Sequence, residues 1–533
     1  MRMFLSVAAA VLAALALGAT PVVAATPTPV LLHDVETGTD DLGSLSPPGT
    51  PLGDTVQKDT QIEPSIAVNP NNPLNAVAAY QEGRIDSGGD ATNGFATTFD
   101  GGATWIHGEL PGLTNYGRGT ALEQGGAFER GSDAVVAFGP NNTVYANSLI
   151  FDSTSATDMA EGLAGSGLRS AMAVNVSYNG GRTWSPPVVF QDDDIGGLND
   201  KNWIVVDNSD APGHHKGRVY TVWDRVAPIV YNYCDHDCDQ LANWLPDLQK
   251  LDPVVWPGQG LGAYPMVMSN GGLGIALTSE ARGIPTRTAD EPSVDLDNEE
   301  FIQSPAAGST PWPAPLAFTP PVEIAGNESA GETAQRASGG IPSSAVDPKS
   351  GAIYHVWDDG RFKTDGKNDV VLSKSADGVT WTSPVAISGG AKTDKINRYN
   401  AAVTVGDDGT VHVMWRQRDE SKPAPMFTDV IDTYYSESSD GGATWSTPLQ
   451  VNSQPSRPWF GAFSRAGTFE GDYDQIASAG GYTYIVREQG EQLYPGEPQP
   501  LKAAGTTGVA LDATRLDHQH QRTWVAVVRN QVG

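Results

Sequence analysis

The chain has 533 residues and a formal net charge of −30, yet only 18% of its residues are charged, with 60 Gly and 38 Pro. So acidic a chain meets nucleic acid and other polyanions with an unfavourable overall field, which argues against those partners. Abundant Gly and Pro with little charge suit many short strands joined by tight turns.

In chain order, Met1-Arg2 precedes an apolar run from about Phe4 to Leu17 and small residues up to Ala25. That pattern predicts a secretory signal peptide over 1–25, cut near Val22 to Ala24, and an extracellular protein. An uncleaved anchor is the alternative, but the run is short for a transmembrane helix and no second run of spanning length follows. Residues 26–55 are polar and rich in Pro, Gly and Thr, and read as a flexible leader. The remainder, 56–533, reads as one large repetitive domain.

Four stretches share one pattern: Thr98-Phe-Asp100-Gly-Gly102-Ala-Thr104-Trp105, Ser177-Tyr-Asn179-Gly-Gly181-Arg-Thr183-Trp184, Ser375-Ala-Asp377-Gly-Val-Thr380-Trp381 and Ser438-Ser-Asp440-Gly-Gly442-Ala-Thr444-Trp445. The carboxylate or amide can accept backbone amides of its own turn, Gly supplies positive φ, and Trp packs between neighbouring units. A repeat at this spacing means an array of one supersecondary unit. Asp100, Asn179, Asp377 and Asp440 are therefore read as structural.

Six pairs of short strands accompany these turns. They are 64–68 with 76–82, 132–138 with 143–150, 202–207 with 218–225, 341–347 with 352–358, 399–405 with 410–417, and 474–479 with 482–488. The linking turns carry hairpin residues such as Asn-Pro-Asn-Asn and Asp-Asp-Gly. Six pairs predict six blades of four antiparallel strands. Met268-Ser-Asn270-Gly-Gly272 reads as a decayed box in the third blade, and 226–263 and 279–335 read as insertions. Cys234 and Cys238, in an exported chain, predict one local disulfide. A metal site made of both thiolates and His236 is the alternative, without a visible second ligand pair.

With its four boxes the chain resembles the sialidase-like Asp-box, or BNR-repeat, β-propellers, close to bacterial exo-alpha-sialidases. The resemblance covers most of 56–533. It implies an all-β, six-bladed propeller acting on glycans without a cofactor or resident metal, as a monomer. Alternating strand direction puts the boxes on one face. The approach to each first strand and the loop after each second strand lie on the other, where a site belongs. Arg84, Arg130, Asp133, Asp200, Lys201, Asp224 and Asp358 also fall there, and bracing of neighbouring blades is the plainer role for any one of them.

Members of the family use a Tyr nucleophile with a Glu partner, an acid/base Asp, and three Arg that hold a carboxylate. Carried over, Tyr473 in Gly471-Asp-Tyr-Asp474 matches the nucleophile, Glu332 or Glu323 its partner, and Asp86 or Asp90 the acid/base. Arg336 and Arg398 match two of the arginines, with Arg225, Arg361 and Arg416 as further candidates for substrate binding. The chain departs from the family where Arg-Ile-Pro should precede the first strand: it has Ile62-Glu63-Pro64. The resemblance thus implies a secreted glycoside hydrolase acting on glycan termini. A non-catalytic glycan- or protein-binding propeller is the alternative, as is a polysaccharide lyase using a Tyr or His base. His355 and His412, inside strand patterns, are read as core residues.

Overall fold

In the computed structural model, the structure describes residues 29–39, 42, 56–85, 87–116, 123–152, 169–193, 199–225, 228–246, 253–280, 297–329, 335–336, 341–421, 429–464, 467–504, 508–511, 515 and 518–530. The proposed signal peptide lies outside these residues. Among them there is no α-helix, and only four single-turn 3-10 segments interrupt the strands.

Most of the described strands form seven four-stranded antiparallel units, one more than the sequence pattern predicts. Their first strands are Val56–Val68, Arg130–Phe138, Asp200–Val206, Gly260–Val267, Ser343–Val346, Ile396–Val405 and Gln475–Ala479. All seven line one axial cavity of about 340 Å³, touched in turn by Ile66, Val136, Val205, Met266, Val346, Val403 and Ala477. Each seam between neighbouring units, including that from the seventh back to the first, has its own apolar cluster. The ring is closed in the manner of a β-propeller.

The fourth blade spans the end of the first expected insertion, the segment between the two, and the second insertion. It comprises Gly260–Val267, Leu273–Glu280, Asp297–Ser304 and Val322–Asn327. Its third strand reads Asp-Asn-Glu-Glu-Phe-Ile-Gln-Ser and looks like a polar loop, but Glu299 and Glu300 are buried. Glu299 accepts from Thr278 and Asn327 and pairs with His355 Nε2 of the next blade at 3.1 Å. Burial of a charge is tolerated when it is paired in this way. Met268 to Gly272 therefore turns between the first and second strands of blade four and is no relic of a box.

A second correction concerns the leader. Val30–Glu36 is a strand, paired antiparallel with Gln521–Arg529, and it completes blade seven from the outside. The first described strand thus joins the last, and the ring is shut by pairing residues nearly 500 positions apart in sequence.

The boxes lie between the third and fourth strands of blades one, two, five and six. In the fourth box Asp440 Oδ1 accepts the amides of Ala443 and Thr444 and the Ser438 hydroxyl, while Oδ2 accepts the Thr444 hydroxyl. These bonds hold its pKa down, at about 2. Gly442 sits at φ 83°, and a Cβ there would meet Leu372 at 3.0 Å, so the turn needs glycine. Each box Trp packs on the preceding blade: Trp184 on Phe95, Trp381 on Phe301. Blade three has Cys234–Cys238 in place of a box. The two are bonded with Cα atoms 5.9 Å apart, and Trp244 takes the box tryptophan's place, stacked on Phe190.

Candidate functional site

Opposite the boxes, the mouth of the axis is built from bulges. In blades one, two, three, four and six the first strand slips register against the second at the same level. The residue at that level takes a left-handed backbone: Glu63 (φ 50°), Asp133 (φ 45°), Lys201 (φ 37°), Gly262 (φ 73°) and Asn400 (φ 50°). Tyr473 stands at the corresponding level of blade seven, two residues before Gln475–Ala479. A left-handed charged residue is strained by about 1–3 kcal/mol, and such strain gathers at sites rather than in plain scaffolding.

Carboxylates hold these bulges across the seams. Asp133 accepts the Lys201 amide at 3.0 Å, Asp224 the Gly262 amide at 2.7 Å, and Asp358 the Asn400 amide at 3.0 Å. Glu63 Oε1 accepts the amide of Asp472 at 3.0 Å, and Gln81 Nε2 bridges Glu63 and Asp133. The bracing role therefore holds for Asp133, Asp224 and Asp358.

Lys201 and Tyr473 are different. Both are about 95% buried. The Lys201 ammonium lies 3.8 Å from the centre of the Tyr473 ring and 3.9 Å from that of Trp203. Neither Lys201 Nζ nor the Tyr473 hydroxyl has a hydrogen-bond partner among the described residues. Burial lowers the Lys201 pKa to about 8, against the pull of Asp133, Glu63, Asp224 and Asp200. Burial, then the charges of Asp133, Glu63, Asp472 and Asp200, push the Tyr473 phenol well above its ordinary value. Trp203 packs against Tyr264 with ring centres 4.6 Å apart and planes tilted by 35°, and with Tyr473 these rings close the axis. On the other side of that plug the axial cavity is lined by apolar residues together with Asn208, Ser344, Thr404, Gln475 and Ser478, and Asp, Glu, Lys, Arg and His are missing from its described lining.

Asp90 opens the third strand of blade one, wholly buried, 3.3 Å from Arg84 Nη1. Its Oδ1 has no hydrogen-bond partner among the described residues. Burial outweighs the arginine and raises its pKa to about 7. The Arg84 guanidinium rests on the Phe469 ring, and Phe469 pairs through its backbone with Arg336.

The described arginine candidates are each paired with carboxylates. Arg398 is engaged by Asp394 at 3.0 Å and Asp369 at 3.7 Å. Arg416 is buried against Glu488, Glu470 and Asp474. Arg361 pairs with Asp359, and Arg225 with Asp193 at 2.8 Å. Each is held by carboxylates of its own surroundings, which leaves little positive field for a substrate anion. Asp86 and Glu332 lie outside the described residues, as does the side chain of Arg336. Glu323 is exposed on the outermost strand of blade four, away from Tyr473. His412 is buried beside Tyr435, and His355 between Ser344 and Glu299, both as core residues. Sequence reading placed Lys201 on the right face without singling it out, since no spacing reveals that its ammonium would lie between two rings.

No protein-family model matches the chain, and no curated protein sequence matches it. Solved structures align over most of its length at low similarity. A Dyadobacter fermentans protein of unknown function is 12% identical, covering 91% of this chain and 100% of that one, with a TM-score of 0.42. A Hadza microbial sialidase is 14% identical, covering 81% and 64%, with a TM-score of 0.40. A Penicillium chrysogenum alpha-L-arabinanase, complexed with arabinobiose, is 10% identical, covering 95% and 99%, with a TM-score of 0.41. Likeness at this level carries no argument about what the present chain does.

Proposed function

We propose that the chain is a glycoside hydrolase working at the axial mouth on uncharged glycan termini. The observation that supports this most is the pair of buried polar groups without a hydrogen-bond partner among the described residues, the Lys201 ammonium and the Tyr473 hydroxyl, with Lys201 on left-handed backbone against the Tyr473 ring. Leaving such a group unpaired costs about 1–3 kcal/mol, and a bound sugar hydroxyl or ring oxygen would satisfy both.

The surrounding charge bears on the substrate. Glu63, Asp133, Asp200 and Asp472 act on Tyr473 as negative charges, and the Lys201 ammonium lies against its ring. A net negative mouth repels a sialic-acid carboxylate but stabilises the positive charge that develops on a sugar ring as a glycosidic bond breaks. Tyr473 stays protonated in this ground state, so its first role is to donate a hydrogen bond. Asp200 is exposed and Asp472 half-buried, which makes them the carboxylates able to meet substrate and water. The Lys201 ammonium orients a hydroxyl from below. The same proposal places the protein outside the cell, in keeping with its amino-terminal sequence.

The test is a panel of fluorogenic glycosides offered to the purified protein, neutral sugars beside sialosides. Turnover of a neutral glycoside with none of the sialoside is expected; preference for the sialoside would overturn the reading. A second reading, a non-catalytic glycan-binding propeller, is favoured by the absence, among the described residues, of a base within hydrogen-bond reach of Tyr473. Saturable binding of a glycan without turnover of any glycoside would select it.

A further inference from the structure

The histidines of His518-Gln-His520 lie outside the axial mouth, just before the strand Gln521–Arg529 of blade seven. They converge with Glu497 from the long loop after that blade's second strand. One ligand atom from each of the three lies within 4.8 Å of the other two. Glu497 Oε1 is 3.1 Å from His518 Nδ1 and 2.9 Å from His520 Nε2. Ligands about 2.0–2.1 Å from a tetrahedral zinc ion are about 3.3 Å apart, and the two Glu497 contacts are already close to that spacing.

The outer shell points the same way. His520 Nδ1 lies 2.7 Å from Asp59 Oδ2, and Asp59 is held by Arg522 through Nε at 2.8 Å and Nη2 at 3.0 Å. A carboxylate on one ring nitrogen fixes that nitrogen as the donor and turns the other outward as a lone pair, the arrangement that accompanies ligating histidines. Here the outward Nε2 faces another carboxylate oxygen. Two acceptors cannot bond each other, so the contact requires a cation between them, either a second ring proton or a metal ion. His518 Nδ1 meets the same oxygen at 3.1 Å, where its N–H donates or, with a metal between them, its lone pair would. Glu497 Oε2 accepts the Leu493 amide at 2.7 Å, which leaves Oε1 aimed at the imidazoles. Tyr494, with its hydroxyl 3.4 Å from His518 Nδ1, borders the position a fourth ligand would take.

We propose that Glu497, His518 and His520 bind one divalent transition-metal ion, zinc by the character of its donors, and that Asp59 orients the site from the second shell. Two imidazoles and a carboxylate suit zinc far better than calcium or magnesium, which take oxygen. Glu497 and both histidines belong to blade seven, whereas Asp59 belongs to the first strand of blade one. The ion would clasp the long loop to the seam at which the ring closes. Its role is structural, and it stands apart from the proposed hydrolysis.

The test uses the full chain, treated with chelator, exchanged into metal-free buffer and titrated with zinc chloride in a calorimeter, with melting followed in parallel. One zinc per chain is expected, together with a raised melting temperature. Cobalt(II) in its place should give the visible absorption of a tetrahedral nitrogen–oxygen site. His518 is only partly buried, so His518→Ala should fold and should lose the zinc response. Asp59→Asn should weaken binding roughly 10–100-fold, as loss of a second-shell carboxylate does. No zinc uptake by the parent chain would overturn the proposal. So would uptake that survives unchanged in folded His518→Ala, which would assign the metal to other surface groups.

Discussion

Arg416 separates a scaffold arginine from a substrate ligand. It is fully buried with Glu488, Glu470 and Asp474 around it, and Tyr399 donates to Glu470 at 3.1 Å. Arg416→Met keeps the volume and leaves three buried carboxylates without their cation. Breaking a buried pair from one side destabilises by about 3–5 kcal/mol. Unfolding entropy of roughly 2.1 cal/mol/K per residue gives a chain of this size about 1 kcal/mol/K, so the melting temperature should fall by about 3–5 °C. The loss should depend on pH. Burial already raises Asp474 to about 6 and Glu488 well above its ordinary value, against the pull of Arg416. A carboxyl whose folded pKa is raised contributes stability below its unfolded pKa and loses it as pH climbs through the folded value. Without the arginine both rise further, so the deficit should be small at pH 5 and full at pH 8. Thermal melts of both proteins across that range are the assay. An unchanged melting temperature at pH 8 with a raised KM would refute the reasoning and return Arg416 to the substrate.

Other outcomes follow from the same geometry. Activity should fall above about pH 8 as Lys201 loses its proton, and Lys201→Met should abolish turnover on folded protein; a pH–rate profile flat to pH 9.5 would contradict this role. Asp440→Ala removes the acceptor of the fourth box and should lower the melting temperature without touching KM, as steady-state kinetics would show. Intact mass should be two hydrogens below the reduced value, and Cys234→Ser with Cys238→Ser should cost little stability, because the closed loop is short.

The sequence pattern was informative where structure is local. Box turns, strand pairs and the disulfide depend on residues within a few positions of one another, and each could be placed. Blade four escaped because its strands hold Pro265 and the Glu299-Glu300 pair, whose burial depends on His355 of another blade. Val30–Glu36 escaped because its partner closes the chain from the far end. At the site, the repeat pattern placed Tyr473 at the opening of the last blade. It placed the arginines on their face but could not give their pairing, since a loop arginine beside a strand end looks the same whether it awaits a substrate or already pairs with Asp394 or Glu488. Lys201 has no spacing to announce it; only the assembled ring brings Trp203 and Tyr473 to either side of it.

The most direct test of the axial mouth as reaction centre is turnover of the best neutral glycoside by parent and Tyr473→Phe, with melting measured on the same samples. Removing one hydroxyl that has no partner should leave the melting temperature level or slightly higher. Turnover should fall by roughly 10²–10⁴-fold, the range that a positioned proton donor contributes. Equal turnover by the two proteins would contradict the account.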